Sequence, residues 1–166
     1  MKKITQDLNA YGTGLKLIAV ALWNRGFQAM LIYRISHFFS NIKLTPVSAV
    51  LTRLIQILYG IDIHWNAEID GGCRILHGVG LVVSKKTKIG KNCTLYHGVT
   101  IGVKEEWQFG EPIIGNNVKI YTGAKIIGEV VIGDNVMIGA NAVVTENCEA
   151  NSIYAGVPAK RVKARS

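Results

Sequence analysis

The strongest constraint on the fold is a six-residue period of aliphatic side chains that begins after residue 60. Toward the C-terminus one large aliphatic residue follows another at intervals of six, namely Ile114, Ile120, Ile126, Ile132, Ile138 and Val144. The same period runs upstream from Val83 to Ile101. A repeat of this length makes one short strand and a turn, and three repeats close one triangular coil. The period therefore predicts a left-handed parallel β-helix over residues 61–166.

The first 60 residues follow a different pattern. Apolar residues recur there at spacings of three and four over 14–23, 27–39 and 46–59, which is typical of helices. Polar stretches separate these segments, and Thr45-Pro46 is typical of a helix start. The predicted class is α + β, with an N-terminal helical region over 1–60 followed by the β-helix domain.

Composition excludes several classes of protein. The three cysteines are scattered and form no C-x-x-C pair, which argues against a zinc site and favours a reducing compartment. The longest apolar run, over 15–23, contains Lys16 and is too short to span a membrane. No secretory signal is visible at the N-terminus. We therefore expect a cytoplasmic protein.

The positive charge is concentrated in the helical region. The formal net charge is +8, and residues 1–60 contain seven lysines and arginines against Asp7 as the only acidic residue. Such a basic, apolar segment favours a surface that meets anions, for example lipid head groups at the inner face of the cell membrane. An interface between subunits with solvated charges fits the pattern equally well. Because the basic residues are spaced singly among apolar ones, no nucleic acid partner is expected.

The six-residue period is interrupted twice, and solenoid proteins tend to place function at interruptions. Between Ile75 and Val83 the step is eight residues, and the extra residues surround His77. Between Ile101 and Ile114 the step is thirteen, which predicts a protruding loop over 103–112.

His77 is the candidate general base. An imidazole with an ordinary pKa of about 6.5 can accept a proton from an alcohol that attacks a carbonyl. Asp62 lies fifteen residues earlier, close to one coil, and is the candidate partner that orients the ring. Spacing alone is equally compatible with a structural histidine. His97 falls on the next coil, where it fits a substrate-binding or a structural role, and the intervals among the histidines do not favour a metal site.

Several segments resemble the serine acetyltransferases in order and spacing. They are GIDIH at 60–64, ILHG at 75–78, TLYHGVTIG at 94–102, the helical stretch 26–37 and the ending AGVPAK at 155–160. The resemblance covers residues 26–163. It implies a hexapeptide-repeat acyltransferase in which His77 is the base and Asp62 its orienting partner. It also implies a homotrimer with active sites between neighbouring prisms.

The same resemblance implies acetyl-CoA as the acetyl donor and no metal. Gly102, Thr122, Gly139 and Ala140 stand at positions where the family's backbone lines the channel for the pantetheine arm. Lys160 stands near the nucleotide end of that channel.

The acceptor positions differ from the family pattern. An aspartate precedes the catalytic histidine in the family, where this chain has Leu76, and an Arg-His pair precedes the loop proline, where this chain has Gly110 and Glu111. A serine zwitterion should lose about 1.5–3 kcal/mol of binding free energy for each charged partner that the site lacks. Glu111 at a cation's position would in addition repel the carboxylate.

These departures favour a neutral acceptor. We expect a sugar hydroxyl in capsule, exopolysaccharide or O-antigen biosynthesis, as in short acetyltransferases of the colanic acid type, whose acceptors are often lipid-linked. Trp107 in the predicted loop is a candidate to stack on the sugar ring. Two alternatives are a serine O-acetyltransferase of cysteine biosynthesis and a trimeric scaffold without catalytic activity.

Overall fold

The structure, a computed structural model, describes residues 2–14, 16–104 and 110–165. Four helices come first: α1 Lys2–Asn9, α2 Lys16–Trp23, α3 Arg25–Asn41 and α4 Thr45–Tyr59. Helix α3 begins where the Asn24 side chain accepts a hydrogen bond from Phe27 N at 2.9 Å. Helix α4 has Pro46 in its first turn and ends at Gly60, whose φ of 65° suits a left-handed cap.

Short strands follow the helices. They are β1 Asp62–Ile63, β2 Glu68–Ile69, β3 Arg74–Leu76, β4 Val82–Val83, β5 Lys88–Ile89, β6 Thr94–Tyr96, β7 Thr100–Gly102, β8 Ile113–Ile114, β9 Lys119–Ile120, β10 Lys125–Ile127, β11 Val131–Ile132, β12 Met137–Ile138, β13 Val143–Val144, β14 Ser152–Ala155 and β15 Lys160–Ala164. As far as β13, each strand pairs in parallel with the strand three places later, and β14 pairs in parallel with β12. The three sheets are β1-β4-β7-β10-β13, β2-β5-β8-β11 and β3-β6-β9-β12-β14. Strand β15 returns antiparallel to β14 and extends the third sheet. The prediction of helices followed by a left-handed parallel β-helix is confirmed.

The interior of the prism consists of the aliphatic columns that the period predicts. Ile63, Val83, Ile101, Ile126 and Val144 are buried and adjacent through the strand register of the first sheet. Because each coil covers the one below it, the apolar surface of every repeat is removed from water by its neighbours.

One corner of the prism is held by a ladder of asparagine side chains. Asn92, Asn117, Asn135 and Asn151 all have positive φ, and consecutive amides hydrogen-bond at 3.4, 3.1 and 2.8 Å. Asparagine tolerates the left-handed conformation that this turn requires, since its short side chain can bond locally.

The helices are fixed to the first coil by buried polar contacts. Asp7, which is 1% exposed, pairs with Arg34 at 2.9 Å and accepts hydrogen bonds from the backbone N–H groups of Gly72 and Cys73. Arg34 also donates to the Ile69 carbonyl. The pair therefore connects α1 and α3 to the turn between β2 and β3.

The structure bears only partly on the predicted domain division and the predicted loop. The helices end at Tyr59 and the first strand begins at Asp62, but the division into a region over 1–60 and a domain over 61–166 stays a prediction. Residues 105–109 of the predicted loop 103–112, including Trp107, lie outside the described residues. In the part of the chain that the structure describes, no helix is long and apolar enough to cross a membrane.

Candidate functional site

Four of the predicted site residues lie in one column at the corner between the third sheet and the first. His77, His97, Thr122 and Ala140 each follow a strand of the third sheet, and we call this column the histidine corner. Backbone hydrogen bonds connect its levels, from Gly98 N to Val79 O at 2.9 Å, Gly123 N to His97 O at 3.0 Å and Asn141 N to Thr122 O at 2.9 Å. The coils thus bring residues 18 to 25 positions apart onto adjacent levels.

His77 departs from the regular corner because two residues are inserted there. Its φ is 59°, a left-handed conformation that histidine adopts more readily than branched residues do. The insertion turns tightly, with Gly78 so close to the Ile61 side chain that a Cβ would lie 2.5 Å from it. The turn rejoins the β-helix at Gly80, whose N–H donates to Gly60 O at 2.7 Å. The imidazole is left exposed at the corner.

The histidine corner contains two neighbouring imidazoles, one of which contacts a hydroxyl. The rings of His77 and His97 are 6.3 Å apart between centroids, at an interplanar angle of 80°. Thr122 Oγ1 lies 2.5 Å from His97 Nε2 on the next coil. The predicted substrate-binding position His97 is therefore adjacent to the predicted base.

A cavity of about 390 Å³ opens beside His77 where the helices meet the first coil. It is lined by Trp23, Asn24, Arg25, Gly26, Tyr59, Ile61, Ile75, Leu76, His77, Gly78 and Val79. The first turn of α3 forms one wall, pressed so closely to β3 that a Cβ on Gly26 would overlap the Ile75 carbonyl. Volumes of this size are ordinary for small-molecule sites.

Arg25 is the functional candidate that sequence reasoning missed. It lines the same cavity as His77, and its side chain is exposed. The signal available in the sequence was its place directly before the stretch 26–37 that resembles the serine acetyltransferases. Its nearness to His77 depends on the packing of α3 on β3, which no sequence period reveals.

Asp62 begins the coil that ends at His77, and its N–H donates to Leu81 O at 2.8 Å, directly after the His77 turn. Within the described residues no hydrogen bond joins the Asp62 carboxylate to His77. The Asp62 charge instead acts on His64, which directly follows β1. Burial and the Lys85 charge lower the pKa of His64, and the Asp62 and Glu111 charges oppose that shift. The described residues contain no cluster of three metal-binding side chains.

The remaining acceptor candidates occupy different places. Leu76 lines the cavity directly before His77. Glu111 does not line it, because its carboxylate accepts hydrogen bonds from the hydroxyls of Ser84 at 2.6 Å and Thr87 at 3.5 Å, beyond the far end of the first sheet. The structure therefore separates Leu76 and Glu111.

The residues expected to line a donor channel also lie in different parts of the β-helix. Thr122 and Ala140 belong to the histidine corner, and Gly139 directly precedes Ala140. Gly102 lies at the opposite end of the first sheet, where β7 ends. Lys160 is exposed at the start of β15, with its ammonium 3.3 Å from Glu146.

Comparison with known proteins places this architecture in a family. The model for bacterial transferase hexapeptide repeats matches residues 111–146. A serine acetyltransferase of Helicobacter pylori is 38% identical over 144 residues, which cover 86% of this chain and 84% of that protein.

Two solved structures are similar over nearly the whole chain. The Brucella abortus serine acetyltransferase in complex with coenzyme A superposes with a TM-score of 0.93 at 27% identity, covering 99% of this chain and 68% of that one. The Neisseria gonorrhoeae serine acetyltransferase in complex with serine has a TM-score of 0.90 at 30% identity, covering 97% and 68%.

These relatives show that the expectation of a sugar acceptor in polysaccharide biosynthesis is wrong, because they are serine acetyltransferases. The expectation depended on Leu76 in place of an aspartate for the serine ammonium, on the loss of the cationic pair for the carboxylate and on repulsion by Glu111. The structure removes the last ground, since Glu111 lies outside the cavity, and it places a different cation, Arg25, at the cavity. Leu76 does line the cavity, so the first difference from the family remains.

The agreement in fold and in sequence leads to one assignment. This chain belongs to the serine acetyltransferase family of hexapeptide-repeat acyltransferases, enzymes that take the acetyl group from acetyl-CoA.

Proposed function

We propose that this protein transfers the acetyl group of acetyl-CoA to the hydroxyl of L-serine. The observation that carries the proposal is the exposed His77 imidazole beside a small cavity in a chain that is 38% identical to a serine acetyltransferase over most of its length. The related structure in complex with serine supports the choice of acceptor.

His77 acts as the general base in this proposal. Its imidazole removes the hydroxyl proton while the serine oxygen attacks the thioester carbonyl, so that a C–O bond forms and charge moves to the carbonyl oxygen. Collapse of this intermediate breaks the C–S bond, and the His77 imidazolium returns the proton to the sulfur of CoA. Proton transfer of this kind contributes about 10²–10⁴-fold to a rate.

Asp62 is proposed as the positioning partner of His77. Asp62 begins the coil that ends at the His77 turn, and its backbone N–H is bonded to Leu81 O just after that turn. In this proposal the negative charge of its carboxylate stabilises the imidazolium that forms during attack. A direct hydrogen bond is not required for such a Coulombic effect, because the interaction falls only gradually with distance.

The donor is proposed to extend along the coils from the histidine corner. Thr122, Gly139 and Ala140 follow β9 and β12 on the coils above His97, and their small size suits a narrow chain such as pantetheine. Gly102 and Lys160 are proposed to line the channel farther from His77, and the Lys160 ammonium suits phosphate groups at its nucleotide end.

The assembly proposed is a homotrimer, as is typical of hexapeptide-repeat acyltransferases. The first sheet presents exposed or half-buried residues on its outer side, including Val82, Lys125 and Val143, as expected for a face that meets a neighbouring prism. Light scattering coupled to size exclusion should give three times the chain mass of 18.1 kDa.

Contact of the N-terminal helices with a membrane surface stays a prediction, and it concerns helix α4 and not the histidine corner. Its support is the exposed aliphatic residues of α4, such as Val50 and Ile57, together with the exposed Arg53. Sedimentation with vesicles of phosphatidylglycerol and phosphatidylcholine tests it, and a protein that stays in the supernatant would exclude it.

Initial rates of CoA release, followed with a thiol reagent, test the proposed function. L-Serine is compared with L-alanine, which has the same charges but no hydroxyl. We expect release that saturates with L-serine and stays at the hydrolysis background with L-alanine. Equal rates with both amino acids would contradict transfer to a hydroxyl.

A further inference from the structure

We propose that Arg25 binds the carboxylate of the acceptor amino acid in the cavity beside His77. The inference rests on the proposed function, because it concerns how the same site recognises L-serine. The loop before Pro112, where the family resemblance implies a cationic pair, has Gly110 and Glu111 instead. The carboxylate therefore needs a cation from another part of the chain.

The fold fixes Arg25 next to the reacting group. Arg25 is the first residue of α3, directly after the Asn24 cap. The following residue, Gly26, is in contact with the Ile75 carbonyl, and only Leu76 separates Ile75 from His77. The guanidinium and the imidazole are thus attached to two backbone segments that touch, and both line the cavity of about 390 Å³.

The contact between α3 and β3 is supported by a second side chain. The Tyr11 hydroxyl accepts a hydrogen bond from Ile75 N at 2.8 Å and donates to Ile75 O at 3.0 Å. It also lies 3.0 Å from the place where a Cβ on Gly26 would be. Because Tyr11 and Gly26 meet at the same peptide group, the first turn of α3 has little freedom to move away from the site.

The Arg25 guanidinium is available for a ligand. Among the described residues it makes no hydrogen bond and no ion pair, whereas Arg34 on the same helix is committed to Asp7 and two backbone carbonyls. The described residues that line the cavity include no aspartate or glutamate. The charge of the site is therefore positive and complementary to a carboxylate.

The surroundings strengthen such a pair. Ile61, Ile75, Leu76 and Val79 supply apolar surface around the cavity, and attraction between opposite charges increases where water is partly excluded. An arginine fork binds both oxygens of a carboxylate in a fixed orientation, which a lysine ammonium does not. Arg25 would thereby direct the serine hydroxyl toward His77.

Steady-state kinetics with two acceptors test the inference. L-Serine is compared with L-serinamide, which keeps the hydroxyl and the ammonium but lacks the carboxylate. For Arg25→Gln we expect kcat/KM with L-serine to fall about 10- to 100-fold, mainly through KM, since hydrogen bonds to charged groups have this magnitude. The KM for acetyl-CoA and the rate with L-serinamide should stay unchanged.

Two further variants control the result. Arg25→Lys keeps the charge without the fork and should recover part of the lost kcat/KM. Arg53→Gln removes an exposed arginine of α4 that does not line the cavity, and it should behave as the wild type. Thermal unfolding of all variants separates loss of binding from loss of folding.

The outcomes distinguish this inference from the proposed function. If the wild type acetylates L-serine and Arg25→Gln does so with the same KM, the inference is overturned and the function stands. An equal loss with L-serine and L-serinamide would also overturn it, because the carboxylate would not be the group recognised. A wild type that does not turn over L-serine overturns the function and the inference that rests on it.

Discussion

Thr122 Oγ1 lies 2.5 Å from His97 Nε2, and the His97 ring in turn contacts the His77 ring edge to face. Three coils of the β-helix therefore contribute one side chain each to a continuous row. The row connects the proposed base with the proposed start of the donor channel. A change two coils away from His77 should consequently affect the reaction.

Thr122→Val removes the hydroxyl from this row while keeping the side-chain shape. The loss of one hydrogen bond of about 1 kcal/mol should let the His97 ring move and lower kcat/KM about fivefold. Thr145→Val, at an exposed position that follows β13, is the matched control. Initial rates measure both variants, and an equal effect of the two would contradict a role for the row.

Asp7→Asn should strongly destabilise the protein. It leaves the buried Arg34 guanidinium without its charge partner, which costs about 3–5 kcal/mol of the free energy of unfolding. Asp70→Asn breaks an exposed pair with Lys3 at 2.9 Å and should cost less than about 1 kcal/mol. Urea denaturation compares them, and similar losses would show that the buried pair does not anchor the helices.

Gly26→Ala tests the contact between α3 and the strand before His77. Alanine normally stabilises a helix relative to glycine by about 1 kcal/mol. Here the added Cβ would overlap Ile75 O, so we expect a net destabilisation of about 1–3 kcal/mol and a higher KM for serine as Arg25 moves. A gain in stability would show that α3 is not pressed against β3.

The pKa of His64 makes stability depend on pH. Burial and the Lys85 charge lower this pKa in the folded protein, against the opposing charges of Asp62 and Glu111. Between the folded and unfolded pKa values the unfolded chain binds more protons, so the free energy of unfolding falls as pH decreases below about 6.5. Urea midpoints at pH 7.5 and 5.0 measure this fall. His64→Gln should show a smaller fall than the wild type, and an identical one would contradict the assignment.

Much of the β-helix could be predicted from the sequence because the same short pattern repeats along the chain. The aliphatic columns ending in Ile138 and Val144 repeat at the period of the coil, so that burial and register come from the same pattern. His77 was recognisable for the same reason, since the two extra residues of its turn break that pattern. The position of His97 on the next coil also follows from counting coils, whereas Thr122 was assigned only through the family resemblance.

The parts that sequence reasoning missed depend on packing between distant segments. Arg25 lines the same cavity as His77 because the bare backbone of Gly26 lets α3 approach β3. Glu111 was placed in the acceptor site by analogy, whereas the bonds from Ser84 and Thr87 hold it elsewhere. Neither contact repeats along the chain, so no period could reveal it.

The most direct test of the account is the identification of the product with the wild type and with His77→Asn. Asparagine tolerates the positive φ of this position and removes the base, so the variant should fold normally. Mass spectrometry and NMR of the reaction with acetyl-CoA and L-serine should show O-acetyl-L-serine with the wild type, and a rate at least about 100-fold lower with the variant. Absence of O-acetyl-L-serine with the wild type, or its formation at an undiminished rate by His77→Asn, would contradict the account.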